Sequence, residues 1–184
     1  MTGPKLAAST TNATRSDRAI GAMFYGAFGG AWIALGAWRS FEWRVTAVGL
    51  VAAVTAGLLL FVYQRCRQYG SGLEAAPPSS EKERQNRWFH IINAGQWIVI
   101  LIAGNLLVNI GLSDWVIPAA MFIVGLHFLP LARLFDNPKH FITGGALMLL
   151  AAAYPFLDPG GPGSPSGIFG AGMILWAGAF WAVL

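Results

Sequence analysis

The residues of this chain that could do chemistry lie in one stretch, between Arg87 and His140. All three histidines of the protein are there: His90, His127 and His140. An imidazole can take up or release a proton near neutral pH, and it can ligate a metal or a haem iron. The stretch also contains asparagine and glutamine side chains within two long apolar segments. Ionisable groups inside such segments are rare and usually face the protein interior or a water-filled cavity, so this stretch is predicted to hold the functional site.

His127 is the residue whose position most needs an explanation. At 1.5 Å per residue it lies about 12 Å from the end of its apolar segment. The two segments are joined by a tight turn, and counting from that turn places Gln96 and Trp97 at the level of His127. One interpretation is a proton-titrating or ligand-binding residue. The other is a neutral histidine with a structural role, hydrogen-bonded to Gln96 or to the Leu126 carbonyl that Pro130 leaves unpaired.

The candidate ligand-binding residues are the polar and aromatic side chains of these two segments. The first set consists of His127, Gln96, Asn93, Trp97, Asn105 and Asn109. A secondary set consists of His90, Arg133 and His140. Members of the secondary set lie near the expected water boundary, where interfacial polar groups and snorkelling explain them as well as a binding role does.

Several chemistries fit this arrangement poorly. A metal hydrolase site needs about three His or carboxylate ligands, whereas no acidic residue falls within any predicted span. Asp114 and Asp158 are predicted on the opposite side of the membrane from the histidines. Ser166 has no histidine on its own side to activate it. No catalytic or metal-binding residue is therefore predicted, and the sequence favours a protein that is not an enzyme.

A haem-binding protein is a further alternative among the histidine-based interpretations. A haem iron can be held by two axial side chains, and His127 could pair with His90 or with His140 in one half of the membrane. Nothing in the spacing of these residues requires a haem. The cofactor therefore stays undetermined at this stage.

Composition places the chain in a membrane. It has 184 residues, of which 55% are hydrophobic and 11% charged, whereas soluble domains carry about 25% charged residues. Apolar runs near the roughly 20 residues needed to cross a bilayer alternate with polar breaks. The prediction is an all-α integral membrane protein with six transmembrane helices in one bundle. The predicted spans are residues 19–38, 45–63, 88–110, 115–135, 139–154 and 167–184.

Local patterns refine this plan outside the spans. Residues 1–17 are small and polar and are predicted to form a flexible cytoplasmic tail, which leaves 18–184 as the membrane domain. Ser80 and Glu83 match a capping box, so the third helix should begin near Glu81 in water and be the longest. Asn137 should cap the fifth helix, and Ser166 the sixth.

Small residues follow one face of the first predicted helix, at every fourth position. They are Ala22, Gly26, Gly30 and Ala34. Such rows let helix backbones approach closely in a membrane, where the hydrophobic effect does not drive helices together. They predict tight packing, either within the chain or in a homo- or hetero-oligomer.

The distribution of basic residues predicts the orientation. Ten of the twelve Lys and Arg residues lie on the side of the N-terminus and of the second and fourth loops, and only Arg39 and Arg44 lie on the other. Loops rich in Lys and Arg stay in the cytoplasm. Both termini are therefore predicted to be cytoplasmic, in a bacterial-type inner (plasma) membrane. Because the positive charge is explained by topology, nucleic acid is not an expected partner.

Three functions are compatible with these features. The first is a transporter or channel-like protein that binds a small solute or ion between helices three and four. Each half of the chain has a short first connection and a long second one, which resembles the inverted-repeat plan of many transporters. The second is a structural or regulatory subunit of a membrane complex. The third is a membrane-embedded enzyme or haem-binding protein.

Overall fold

The computed structural model describes residues 4–70 and 80–183, and these residues form α-helices and no strand. The helices are α1 (Pro4–Ser40), α2 (Arg44–Gly70), α3 (Ser80–Asn109), α4 (Val116–Leu134), α5 (Lys139–Leu157) and α6 (Pro165–Val183). Two short 3-10 helices, Ser113–Trp115 and Gly161–Gly163, lie in the turns before α4 and α6. The predicted all-α class is confirmed.

Five helices of the described chain, α2 to α6, are long and apolar enough to cross a membrane. This agrees with an integral membrane protein. Helix α1 is not among them. The crossing of the membrane by α1, and with it the count of six spans, stays a prediction.

The chain divides into two compact units, and the assembly of all its helices into one membrane bundle stays a prediction. The first unit comprises Met1–Pro77 with Leu175–Leu184, and the second comprises Pro78–Ile174. Helix α6 contributes residues to both units. The three histidines and every other candidate site residue belong to the second.

In the first unit, the row of small residues on α1 faces α2. Ala22, Gly26 and Gly30 are buried. A Cβ at Gly26 would lie 3.0 Å from Leu59 Cδ2, and one at Gly30 would overlap the Thr55 side chain. The Trp176 indole N–H donates to the Gly26 carbonyl at 3.1 Å. The predicted close packing of this row is confirmed within the chain.

The start of α1 differs from the expected flexible tail. The helix begins at Pro4 and has 37 residues, whereas α3 has 30, so the prediction that α3 is the longest helix is wrong. Extending an existing helix avoids the cost of nucleation, which accounts for the difference. Flexibility of residues 1–17 stays a prediction.

The polar start of α3 is helical, as predicted. Residues 81–87 belong to the helix, which continues without a break to Asn109. The residues directly before Ser80 lie outside the described part of the chain, so the capping box itself stays a prediction. A continuous α3 places Gln85 and Phe89 on the same rigid element as the candidate site.

Two turns of the second unit share one hydrogen-bonding pattern. At the end of α3 the Leu112 N–H donates to the Leu107 carbonyl at 2.8 Å, and Gly111 has a φ of 79°. At the end of α4 the Asn137 N–H donates to the Ala132 carbonyl at 2.9 Å. This is the Schellman motif, which requires a left-handed residue. In the second turn that residue is Asp136, with a φ of 46°.

Helices α4 and α5 make backbone contact where two glycines meet. A Cβ at Gly125 would lie 2.7 Å from the Gly144 carbonyl oxygen, and one at Gly144 would lie 2.6 Å from that of Gly125. Both residues are buried. Any side chain at this crossing would therefore force the two helices apart.

Capping follows the prediction at the start of α5 and differs from it at the start of α6. The Asn137 side-chain oxygen accepts the Lys139 N–H at 3.2 Å, in agreement with its predicted role. Helix α6 begins at Pro165, two residues earlier than expected, and Ser164 Oγ accepts the Ser166 N–H at 3.3 Å. Ser164, and not Ser166, therefore caps α6. Proline is favoured in the first turn of a helix, because its missing N–H needs no partner there, and this shifts the cap upstream.

The glycine crossing is tested by replacing each of two adjacent glycines of α5. Gly144→Ala should lower the free energy of unfolding by about 1–3 kcal/mol, because the new methyl group overlaps the Gly125 backbone. Gly145→Ala is the matched control: nothing lies within 4 Å of its Cβ position, so the change should be neutral or stabilising. Denaturant unfolding of the purified protein in detergent measures both. Equal stability of the two variants would contradict the crossing.

The left-handed turn between α4 and α5 makes a second prediction. Asp136→Gly should raise the free energy of unfolding by about 1 kcal/mol, because glycine adopts this backbone conformation without steric cost. Gly111→Ala, in the equivalent turn, should lower the free energy of unfolding by about 1–2 kcal/mol, because the Cβ of alanine has a steric cost in the left-handed conformation. The same unfolding measurement applies, and a destabilised Asp136→Gly variant would show that the carboxylate has a role of its own.

Candidate functional site

The three histidines of the chain lie in one aromatic cluster of the second unit. Its members, called here the histidine–phenylalanine cluster, are His90, His127, His140, Phe89, Phe128 and Phe135. Phe128 contacts His127 at 5.7 Å and His140 at 5.8 Å between ring centroids. Phe135 lies 6.4 Å from His140 and 5.9 Å from Phe89, which in turn lies 5.6 Å from His90. The rings thus form one connected series.

Three helices contribute to this cluster, and the glycine crossing aligns two of them. A Cβ at Gly144 would lie 2.9 Å from the Phe128 Cβ, so the side chain of Phe128 starts directly against α5. His140 lies one helical turn before Gly144 on the same helix, where it stacks on Phe128 with an interplanar angle of 21°. The close approach of the backbones therefore places the His140 ring beside α4.

His127 lies at the inner end of the series and has one unsatisfied nitrogen. The backbone of Ile92 in α3 interacts with its ring. Its Nδ1 atom is buried and has no hydrogen-bond partner. Leaving a buried polar atom without a partner costs about 1–3 kcal/mol. An unpaired acceptor at this position is therefore an unusual feature that a bound donor would remove.

The partner of His127 differs from the expected ones. Counting residues from the turn predicts that Gln96 is level with His127. The contact is instead with Ile92, one helical turn nearer the start of α3. That count assumed parallel helix axes starting at the same height. A 3-10 helix delays the start of α4 to Val116, and helices that pack at an angle do not stay level.

Gln85 is a positioning residue that sequence reasoning missed. Its side-chain N–H donates to the Leu134 carbonyl at 2.6 Å and so ties the water-exposed start of α3 to the end of α4. The last carbonyls of a helix have no partner within the helix, which makes them natural acceptors. The only signal in the sequence is that Gln85 is polar but uncharged within residues 81–87, most of which are charged.

The remaining candidates are distributed along α3 and α4. Asn93 and Gln96 are half-buried near Ile92, whereas Trp97 is 48% exposed and Arg133 is exposed. Asn105 and Asn109 are exposed and bond to each other at 3.2 Å. Asn105 is thirteen residues from Ile92, or about 20 Å along the helix. The structure therefore brings the three histidines together and leaves Asn105 and Asn109 at the other end of α3.

The pair His127 and His140 does not have the geometry of a haem site. A haem held by His127 and His140 would need a flat gap between the two imidazoles, but Phe128 contacts both rings. Among the described residues, no group of three or more His, Cys, Asp or Glu side chains could hold a metal ion. What the cluster offers is an imidazole acceptor among aromatic rings.

Basic residues lie at one end of the second unit, whereas carboxylates lie at both ends, with Glu81, Glu83 and Asp136 at the end that holds the cluster. Arg84, Arg87, Arg133 and Lys139 lie at the end with the cluster. At the other end, the Ser166 hydroxyl and the Gly160 N–H hold the pKa of Asp158 below its ordinary value. Its carboxylate is therefore ionised throughout the neutral range.

Comparisons of the chain with protein-family models, with curated proteins and with solved structures found no match. A function can therefore be proposed only from the residues described above.

Proposed function

We propose that this protein is a transporter or channel-like membrane protein in which the histidine–phenylalanine cluster binds a small solute or ion. The observation that carries the proposal is the buried Nδ1 atom of His127, which lacks a hydrogen-bond partner. Its helix ranks among the apolar candidate spans, where a structural histidine would be expected to have both nitrogens satisfied.

The proposal defines the chemistry of the bound species. In the neutral tautomer that carries its proton on Nε2, the Nδ1 atom is an acceptor. The partner it fits is a small solute with an N–H or O–H group, or a proton delivered by water. The phenylalanine rings would cover the apolar part of such a solute. Asn93 and Gln96, half-buried on α3, are the nearest amide groups that could assist.

The order of the rings supports movement rather than static binding. His90 is exposed, His140 is half-buried, and the Nδ1 atom of His127 is buried. Titratable rings therefore lead from the surface to the interior of the second unit. In this proposal α1 also crosses the membrane, which brings the number of spans to six. Both termini are cytoplasmic, and the cluster lies at the cytoplasmic end of the second unit.

A second candidate function is a structural or regulatory subunit of a membrane complex. The observation that favours it is the absence of any buried residue in α3, which is a 30-residue helix. Its exposed side includes the Asn105–Asn109 pair, and amide side chains of this kind can hydrogen-bond across neighbouring helices in a membrane. In that role the cluster would be part of the packing.

The proposed orientation is tested with Cys66, the only cysteine of the sequence. A membrane-impermeant thiol reagent should label it only after the cells are permeabilised, because the basic loop that follows α2 is proposed to be cytoplasmic. Moving the single cysteine to the other side with a Cys66→Ser, Ser40→Cys double variant provides the control, which should be labelled in intact cells. The reverse pattern would invert the topology.

The proposed site is tested by ligand-induced stabilisation. A panel of small amides, alcohols, amines and weak acids is screened for an increase in the melting temperature of the purified protein. A ligand at a concentration of about 100 times its Kd stabilises by about 2.7 kcal/mol. The increase should disappear in His127→Phe, which keeps an aromatic ring but removes the acceptor.

Two variants make this result interpretable. Asn109→Leu removes a polar group at the far end of α3 and should leave the stabilisation unchanged. His127→Phe without ligand should melt at or above the temperature of the unmodified protein, because the buried unpaired atom is gone. A ligand that stabilises His127→Phe as strongly as the unmodified protein would exclude His127 as the binding residue and favour the packing role.

A further inference from the structure

An apolar groove lies at the end of the second unit opposite the histidine–phenylalanine cluster. It has a volume of about 380 Å³ and lies between the end of α3, the start of α4 and the second half of α5. Its lining consists of Leu107, Leu112, Trp115, Pro118, Ala119, Phe122, Ala151 and Ala152. The alanines of α4 and α5 leave the space that larger side chains would fill. No polar side chain lines it that could orient a polar solute.

The groove is continuous with the surface that faces the bilayer. Its walls belong to three of the helices that are apolar enough to cross a membrane. Leu112 and Phe122 in the lining are 45% and 40% exposed, and their neighbours Leu106, Ile110 and Phe156 are exposed as well. Trp115 packs against Phe156 at 5.8 Å between ring centroids at the rim. A groove within a lipid-facing surface is in contact with the hydrocarbon chains of that leaflet.

The charge beside the groove selects among lipid headgroups. Asp114 directly precedes Trp115, and a Cβ at Gly163 would lie 3.4 Å from the Asp114 carboxyl carbon. Asp158 follows α5 in the same region and is ionised at neutral pH, because hydrogen bonds lower its pKa. In the described turns at this end of the second unit, residues 110–115 and 158–164, there is no Lys or Arg to balance these carboxylates. An anionic headgroup would be repelled there, whereas an ammonium group would be attracted.

We propose that this groove is a lipid-binding site that holds one acyl chain of a zwitterionic, ammonium-bearing phospholipid, with its headgroup beside Asp114 and Asp158. The hydrophobic effect does not favour the groove over the surrounding bilayer, since both are apolar. The preference comes from dispersion contacts with the groove walls, which an unfilled space would lack, and from the attraction of the headgroup.

The test uses photoreactive lipids in nanodiscs that contain the full-length protein. A phosphatidylethanolamine with a diazirine in one acyl chain is compared with a phosphatidylglycerol that carries the same chain, and the labelled peptides are identified by mass spectrometry. Labelling by the phosphatidylethanolamine should concentrate on the groove residues and exceed that by the phosphatidylglycerol several-fold. Asp114→Asn with Asp158→Asn should remove the difference between the two lipids.

Groove-filling variants test the acyl-chain site itself. Ala152→Phe, and separately Ala119→Phe, should reduce labelling of the groove residues several-fold. Ala94→Phe places the same side chain at an exposed position of α3, thirteen residues or about 20 Å before the lining residue Leu107, and should leave labelling unchanged. All three should elute as single species and keep the helical circular dichroism of the unmodified protein.

Three results would overturn the proposal. The first is labelling spread evenly along the exposed apolar residues of α3 and α5. The second is labelling that survives both groove-filling variants in folded protein. The third is absence of lipid labelling together with cross-linking of groove residues to a second copy of the chain, which would identify the groove as a protein interface. Preference for phosphatidylglycerol would overturn the choice of headgroup.

Discussion

The contact on which the candidate site depends is the backbone crossing of α4 and α5 at Gly125 and Gly144. In an apolar environment the hydrophobic effect does not hold two helices together, so their stability rests on close packing and hydrogen bonds. Two facing glycines allow the closest approach, and the Cβ of Phe128 lies directly beside that contact. His127 and His140 both contact the ring of this phenylalanine. The site is thus a consequence of packing between helices rather than of a sequence motif.

The features that followed from the sequence are those determined by composition and local pattern. Apolar runs near the length of a membrane crossing indicated the helices, and the small residues of α1 indicated a close contact, which Thr55 and Leu59 provide. The helical start of α3 followed from the polar residues after Ser80. Each of these depends on residues close together in the chain, where sequence spacing and spatial position are related directly.

The features that did not follow depend on relations between elements. The contact of His127 with Ile92 is set by the angle between helix axes, which residue counts along each helix do not contain. Asp136 occupies a left-handed position that usually belongs to glycine, so the turn had no compositional signal. The series of rings from His90 to His127 joins three helices, and phenylalanines in apolar segments are too common to indicate a cluster.

The bond between Trp176 and Gly26 joins residues 150 positions apart, within a unit that is discontinuous in the sequence. During synthesis, α1 and α2 emerge first, but their last packing partner is made only after α3, α4 and α5 are complete. Contacts between distant parts of a chain form late, because a long loop must first be closed. The second unit, whose helices follow one another directly, has no such delay. The packing of α1 and α2 is therefore complete only after Trp176 of α6 has been made.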